Sequence, residues 1–130
     1  MKKEKYNVAV VGATGMVGET MLEILAERDF PIAELQPLAS ERSAGQTVEF
    51  RRRDVVVGVL EQHDFANTDI ALFSAGAGVS AEHAPRAAAA GCVVIDNTSC
   101  FRYDEQVQLV IPDLNFADID GRSLIANPNC

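Results

Sequence analysis

The sequence predicts an α/β fold: a mostly parallel sheet with helices on both faces and a small antiparallel excursion. Three observations predict it. Short apolar runs of strand length recur along the chain, glycine-bearing turns follow the first and a later one, and helix-period segments separate them. Strand, turn, helix and strand in repetition is the pattern of βαβ units, whose crossover helices cover the sheet. At 130 residues the chain is long enough for one such domain with one apolar core.

The elements follow in order. Tyr6 to Val11 is an apolar run, Asn7 apart, and stops at Gly12, as a strand buried on both faces does. After Gly12-Ala13-Thr14-Gly15 a helical period runs from Met16 to about Arg28. It sets Val17, Met21, Leu22, Leu25 and Ala26 on one face and Glu19, Glu23 and Glu27 on another, with Pro31 marking its end. Leu35 to Ala39 reads as the second strand, and Ser40 to Gly45 as a polar loop. Thr47 to Phe50 and Asp54 to Leu60 read as short strands of the antiparallel excursion, with Arg51-Arg52-Arg53 as its solvated tip. Ile70 to Ser74 is another buried strand, leading into Ala75-Gly76-Ala77-Gly78. Ser80 is the expected cap of the next helix, with Glu82 in its first turn and Gly91 as its stop. Cys92 to Ile95, Val107 to Ile111 and Ser123 to Ala126 complete the strands.

The composition narrows the partners. Nineteen acidic residues against eleven basic ones leave a net charge of −8, a surface that repels nucleic acid and anionic lipid at long range. No segment approaches the roughly 18 apolar residues of a membrane span, and Glu4, Lys5 and Asn7 interrupt anything resembling an export signal. Three cysteines without such a signal read as reduced thiols, and the expected location is the cytoplasm. Their spacing does not suit a metal site. Cys92, inside an apolar strand, reads as a small buried side chain. His63 and His83 read as exposed helix or loop residues.

Gly12-x-x-Gly15-x-x-Gly18 stands between a strand and a helix, where a dinucleotide fingerprint of the Rossmann type belongs. Glycines there permit positive φ and let phosphate oxygens approach the amides of the helix N-terminus. The spacing differs from G-x-G-x-x-G, since Thr14 stands two residues after Gly12. The end of the second strand should address the adenosine ribose. Glu41 there could accept from a 2′-hydroxyl, which favours NAD; Arg42 with Ser40 and Ser43 could bind a 2′-phosphate, which favours NADP. The arginine and paired hydroxyls tip the reading to NADP.

Five motifs occur in one order: Gly12-Ala13-Thr14-Gly15-Met16-Val17-Gly18, Ala39 to Gly45, Phe73-Ser74-Ala75-Gly76, Val94 to Arg102, and Ala126-Asn127-Pro128-Asn129-Cys130. In these the chain resembles the aspartate-semialdehyde dehydrogenases, across essentially its whole length. The related N-acetyl-glutamyl-phosphate reductases usually carry Pro-Gly-Cys where this chain has Pro128-Asn129-Cys130. Two departures keep the chemical character: Thr98-Ser99-Cys100 where the family commonly has two serines and alanine, and Pro112-Asp113-Leu114-Asn115 where it has Pro-Glu-Val-Asn.

The resemblance implies NADPH-dependent reduction of 4-phospho-L-aspartate to L-aspartate 4-semialdehyde and phosphate, on the route to lysine, threonine and methionine. It implies that Thr14, Gly15, Met16 and Val17 contact the dinucleotide phosphates, with Gly12 and Gly18 shaping the turn. Ser40, Arg42 and Ser43 would hold the 2′-phosphate, and Ser74, Ala75 and Gly76 would line the cofactor cleft. Arg102 would bind the substrate phosphate and Cys130 would be the nucleophile, with Asn129 beside it to orient the reacting carbonyl. The family's acid/base histidine matches neither His63 nor His83.

Residues 1–130 thus read as a dinucleotide-binding domain, and the family's substrate and dimerisation domain as absent from these residues. The family member as a whole is expected to be a homo-oligomer acting on a small-molecule substrate and phosphate, while the 130 residues alone are expected to be inactive. Two other readings stand beside this one: a free-standing NADP-binding module and an inactive relic. The nucleophile motif argues against a module that needs only NADP.

Overall fold

The computed structural model describes residues 5–96 together with two short strands at 108–109 and 124–126. The order is β1 (Tyr6–Val11), α1 (Met16–Glu27), β2 (Ile32–Ala39), β3 (Thr47–Phe50), β4 (Arg53–Val56), β5 (Gly58–Val59), β6 (Ile70–Phe73), α2 (Ala77–Ala89), β7 (Val93–Asp96), β8 (Gln108–Leu109) and β9 (Leu124–Ala126). Among the described residues the main sheet runs β5-β2-β1-β6-β7-β9-β8, and its pairings are parallel. The antiparallel excursion is the separate hairpin β3–β4.

Alternation along the strands divides the core in two. Ala9 and Val11 of β1, Ala71 and Phe73 of β6, and Leu38 of β2 pack with Ala84 and Ala87 of α2. Val10, Leu35 and Leu72 face the other way and pack with Leu22, Met21 and Leu25 of α1. Period-two strands alone produce this split, and it places one helix on each face, as the sequence predicts. Fully burying one side chain such as Phe73 stabilises the fold by about 2–3 kcal/mol.

The helix ends have local causes. Helix α1 stops in a left-handed residue, Asp29 at φ 51°; the Asp29 N–H donates to Ala26 O and the Phe30 N–H to Leu25 O. That pair of bonds satisfies the last carbonyls before Pro31 arrives. Helix α2 ends the same way, with Gly91 at φ 95° donating to Ala88 O and Cys92 donating to Ala87 O.

Four expectations are corrected. Val17, in the first turn of α1, is 46% exposed and stays outside the core cluster that Met21, Leu22, Leu25 and Ala26 join. Ser80 does not cap α2: Gly76 opens the helix, and the buried Ser80 hydroxyl donates to Asp96 Oδ1 at 2.9 Å. The run from Asp54 to Leu60 is two strands, broken at Val57, so that β4 pairs with β3 and β5 joins β2. The tip of the hairpin is not wholly solvated, since the Arg51 guanidinium donates to Phe30 O and lies 3.7 Å from Asp29 Oδ1.

Candidate functional site

β1 lies between β2 and β6, and the chain leaves β1 toward one neighbour before returning to the other. The carboxyl ends of β1 and β6 therefore border the crevice where open α/β sheets bind ligands. The three glycines of the first turn have different duties there. Gly12 is at φ 89°, and a Cβ on it would lie 3.0 Å from Ala75. Gly18 must lack a side chain because a Cβ would stand 2.1 Å from Gly12 O, so it sets how closely α1 approaches the turn. Gly15 has an ordinary φ of −85°, and a Cβ on it would make only ordinary contact, 3.5 Å from Gly12 O. The expectation of positive φ thus holds for Gly12 and not for Gly15 or Gly18. Gly15 instead leaves the front of the helix open.

Helix α1 begins at Met16 with no side chain capping it. The N–H groups of Met16, Val17 and Gly18 belong to its first turn, which has no intrahelical acceptors, and the Met16 side chain is 85% exposed, clear of the turn. Gly12 N and Ala13 N both donate to Leu38 O, at 2.8 and 3.2 Å, which fixes the turn to β2. On the far side Ser74 donates to Val11 O from both its N–H and its hydroxyl, each at 3.0 Å. Gly76 then takes φ 118° and ψ 158°, a region open essentially to glycine alone, and α2 starts there with no side-chain cap.

Between these edges lies a cleft of about 280 Å³. It unites Gly12 and Thr14 of the turn, Ser40 and Ser43 after β2, and Ala75 after β6. Gly15, Met16, Val17 and Gly18 stand at the adjoining helix end, and Ser74 and Gly76 flank Ala75. Glu41 and Arg42 are exposed on the Ser40 turn and do not line the cleft. Arg102, Asn129 and Cys130 lie outside the described residues. A larger hollow of about 450 Å³ between α1 and the β3–β4 hairpin shares none of these residues and carries Glu19, Glu23 and Glu49 on its walls.

The rest of the lining has no counterpart in the sequence motifs: Leu60 and Glu61 from one side, Val79, Glu82 and His83 from α2. Helical spacing could have grouped Val79, Glu82 and His83, at i, i+3 and i+4. Nothing local could have brought Leu60 to them, because β5 joins the sheet beside β2. His83 is 5% exposed, not the exposed residue expected. Arg86 explains its burial, donating from Nε to His83 Nδ1 at 3.0 Å, from Nη1 to His63 O at 3.0 Å and from Nη2 to Leu60 O at 2.8 Å.

His63 is likewise half-buried. Thr68 Oγ1 donates to Gln36 Oε1 at 2.5 Å, so its single proton is committed. The 2.8 Å contact from His63 Nε2 to Thr68 Oγ1 is therefore one in which the ring N–H donates. Burial, and then the Arg86 charge, hold the His63 pKa below its ordinary value. Among the described residues no group of three His, Cys, Asp or Glu is placed to hold a metal ion, and no helix is long and apolar enough to cross a membrane.

Comparison with known proteins agrees with this geometry. Residues 7–122 match the family model described as semialdehyde dehydrogenase, NAD binding domain. An aspartate-semialdehyde dehydrogenase of Legionella pneumophila is 58% identical over 127 residues, covering 95% of this chain and 37% of that protein. The crystal structure of aspartate semialdehyde dehydrogenase II from Vibrio cholerae, complexed with ASA, superposes with a TM-score of 0.91 at 56% identity, over 97% of this chain and 42% of that one. A probable aspartate-semialdehyde dehydrogenase from Pseudomonas aeruginosa gives a TM-score of 0.87 at 41% identity, over 95% of this chain and 38% of that one. This chain thus spans about two-fifths of the length of such relatives. By its glycine turn, its parallel sheet and its match along residues 7–122, the chain belongs to the semialdehyde dehydrogenase family, within that family's NAD-binding domain.

Proposed function

We propose that this chain supplies the dinucleotide-binding part of an NADP-dependent aspartate-semialdehyde dehydrogenase. The enzyme would reduce 4-phospho-L-aspartate to L-aspartate 4-semialdehyde with release of phosphate. The observation that carries the reading is the meeting of Gly12, Thr14, Ser40, Ser43 and Ala75 in one cleft in front of the uncapped N-terminus of α1. The residues fit a nucleotide: open amides of Met16, Val17 and Gly18 suit a pyrophosphate, and Gly15 leaves room for it to approach. Thr14 and the amides would hold the phosphates, and the Ser40 and Ser43 hydroxyls would hold the ribose and its 2′-phosphate. Arg42, exposed on the same turn, would close over that phosphate from the solvent side.

When bound, the cofactor supplies hydride. The residues of the chain supply the rest. The Cys130 thiolate attacks the acyl phosphate carbon and phosphate leaves, giving a thioester whose reduction yields the aldehyde and frees the thiolate. Arg102 holds the departing phosphate with its planar fork, and Asn129 orients the carbonyl. Since the family's activity belongs to chains more than twice this length, the 130 residues alone should bind nucleotide without turnover.

The test is the affinity of the chain for NADP and NAD by calorimetry. Arg42→Ala should weaken NADP by about ten-fold, the worth of a charged hydrogen bond, and Glu41→Ala should change it little. Equal losses in the two variants, or tighter binding of NAD than of NADP, would reverse the cofactor assignment.

A further inference from the structure

Apart from the nucleotide cleft, α1 and the β3–β4 hairpin enclose the hollow of about 450 Å³. Its floor is apolar, made by Leu22 and Ala26 of α1 with Val48 and Phe50 of the hairpin. Its rim is acidic, and the acids come in like-charge pairs. Glu19 and Glu23 are four residues apart on α1, and Glu49 stands directly opposite Asp54 in the β3–β4 ladder. Both arrangements are destabilising for like charges. All four carboxylates are exposed, and among the described residues none of them has an ion pair. Arg51, the cation on the wall of the hollow, is engaged elsewhere. It donates to Phe30 O, lies 3.7 Å from Asp29 Oδ1 and stands 4.9 Å over the Phe50 ring.

The tip of the same hairpin has the opposite sign. Arg51 and Arg52 take φ 52° and 67°, the left-handed pair of a two-residue turn that asparagine and glycine ordinarily occupy. Arg52 and Arg53 are exposed and have no ion pair among the described residues. A basic knob therefore stands beside an acidic hollow, on a chain whose net charge is −8. The bond from Arg51 to Phe30 O puts the knob at the carboxyl end of α1, so the Thr47 end of the hairpin lies toward Glu19. Two copies with their hairpins antiparallel bring each knob to the Glu19 end of the other's hollow.

We propose that knob and hollow form a self-complementary surface through which two copies of this chain pair, each placing Arg52 and Arg53 among the carboxylates of the other. The contact is isologous, so each copy gives one knob and receives one. The arginine stems lie over the apolar floor while their charged heads meet the rim. The surface shares no residue with the nucleotide cleft, so the proposal stands independently of the cofactor reading. Exposed ion pairs contribute little each, which makes the pairing weak and salt-dependent. The like net charges oppose it, but a Debye length of about 10 Å at 0.1 M salt screens them more than it screens charges in contact.

Sedimentation velocity over a concentration series measures the pairing on the unmodified chain. A dimer should form at about 0.1 M salt and weaken at about 1 M, where the Debye length falls to about 3 Å. Reversing the knob, with Arg52→Glu and Arg53→Glu together, should weaken it by about ten-fold or more, because several ion pairs become repulsions. Reversing the rim, with Glu19→Lys and Glu23→Lys together, should do the same, and circular dichroism should show both chains folded. An equimolar mixture of the two reversed chains should regain the dimer, since acidic knobs then meet basic rims and the unaltered knobs meet the unaltered rims. Damage to the fold could not produce that recovery. A monomer at every concentration reached, self-association unchanged in either reversed chain, or a mixture that stays monomeric would each overturn the proposal. Should one reversed chain not fold, the salt dependence of the unmodified chain and the other reversal decide the matter.

Discussion

Gly18→Ala is the substitution on which the geometry of the glycine turn can be judged. Alanine is the better helix former, by about 1 kcal/mol over glycine in a helix interior, and Gly18 is in the first turn of α1. Against that, the added Cβ would stand 2.1 Å from Gly12 O, 2.8 Å from Ala13 Cα and 2.9 Å from Gly12 C. These are backbone atoms, so no side chain can swing aside. Restoring ordinary contact at about 3.4 Å requires a displacement of over 1 Å between α1 and the turn, loosening Leu22 and Leu25 against Val10. Overpacking costs about 1–3 kcal/mol, and three backbone clashes put this case at the upper end, about 2–3 kcal/mol, so net of the helix gain the loss is about 1–2 kcal/mol. For a chain of this size that lowers Tm by roughly 3–8 °C. Gly78→Ala is the matched control, since nothing lies within 4 Å of its Cβ position in the first turn of α2, and it should be neutral or stabilising by up to about 1 kcal/mol. Urea unfolding of the two variants beside the parent measures both. A Gly18→Ala chain as stable as the parent, or the two alanines acting alike, would refute the close-approach argument.

Two further predictions concern buried groups. The His63 pKa is lowered in the folded chain, so the unfolded chain binds the proton more readily; stability should be full above the ordinary value of 6.5 and decline as pH falls from there through the lowered folded value. His63→Gln should flatten that part of the stability–pH curve in urea titrations, and an unchanged slope would remove His63 as its source. Burial pushes the Cys92 thiol up to about 12, so peptide mapping after iodoacetamide at pH 8 should find Cys92 unmodified in the native chain and alkylated in urea. Native labelling at the rate of a free thiol would show that the strand opens.

Much of this was legible because it is local. The apolar run of β1, its stop at Gly12 and the period of α1 are all written within about twenty residues, and the hairpin follows from two short strands about a tight turn. Where local signals compete, the reading fails. Ser80 is a good cap residue by type, but Gly76 reaches a backbone region closed to other residues and starts the helix sooner; Ser80 then falls inside it and meets Asp96. The phosphate and ribose side of the cleft is carried by turns with motifs, so Gly12, Thr14, Ser40, Ser43 and Ala75 were nameable beforehand. The opposite wall is carried by pairings across the fold. Arg86 reaches Leu60 O over 26 residues and Thr68 reaches Gln36 over 32, and no periodicity announces such partners. His63 and His83 were misread for that reason: a polar residue is buried when a distant one satisfies it.

The brevity of β5 has a consequence for how the chain keeps its own company. A parallel sheet that ended in a long bare strand would present a row of unpaired amides and carbonyls to any other chain in the cell. Here Pro37 has no amide hydrogen to contribute, and the ladder between β2 and β5 begins after it, at Leu38 opposite Gly58, and runs for two residues. Just before β5, Val57 exchanges backbone bonds with Gly45 and Gln46, so the chain folds back on itself where an outsider would otherwise dock. Before the two residues that β5 covers, the outer edge of β2 runs from Ile32 to Pro37, where the missing amide hydrogen interrupts the row that a stranger's strand would need.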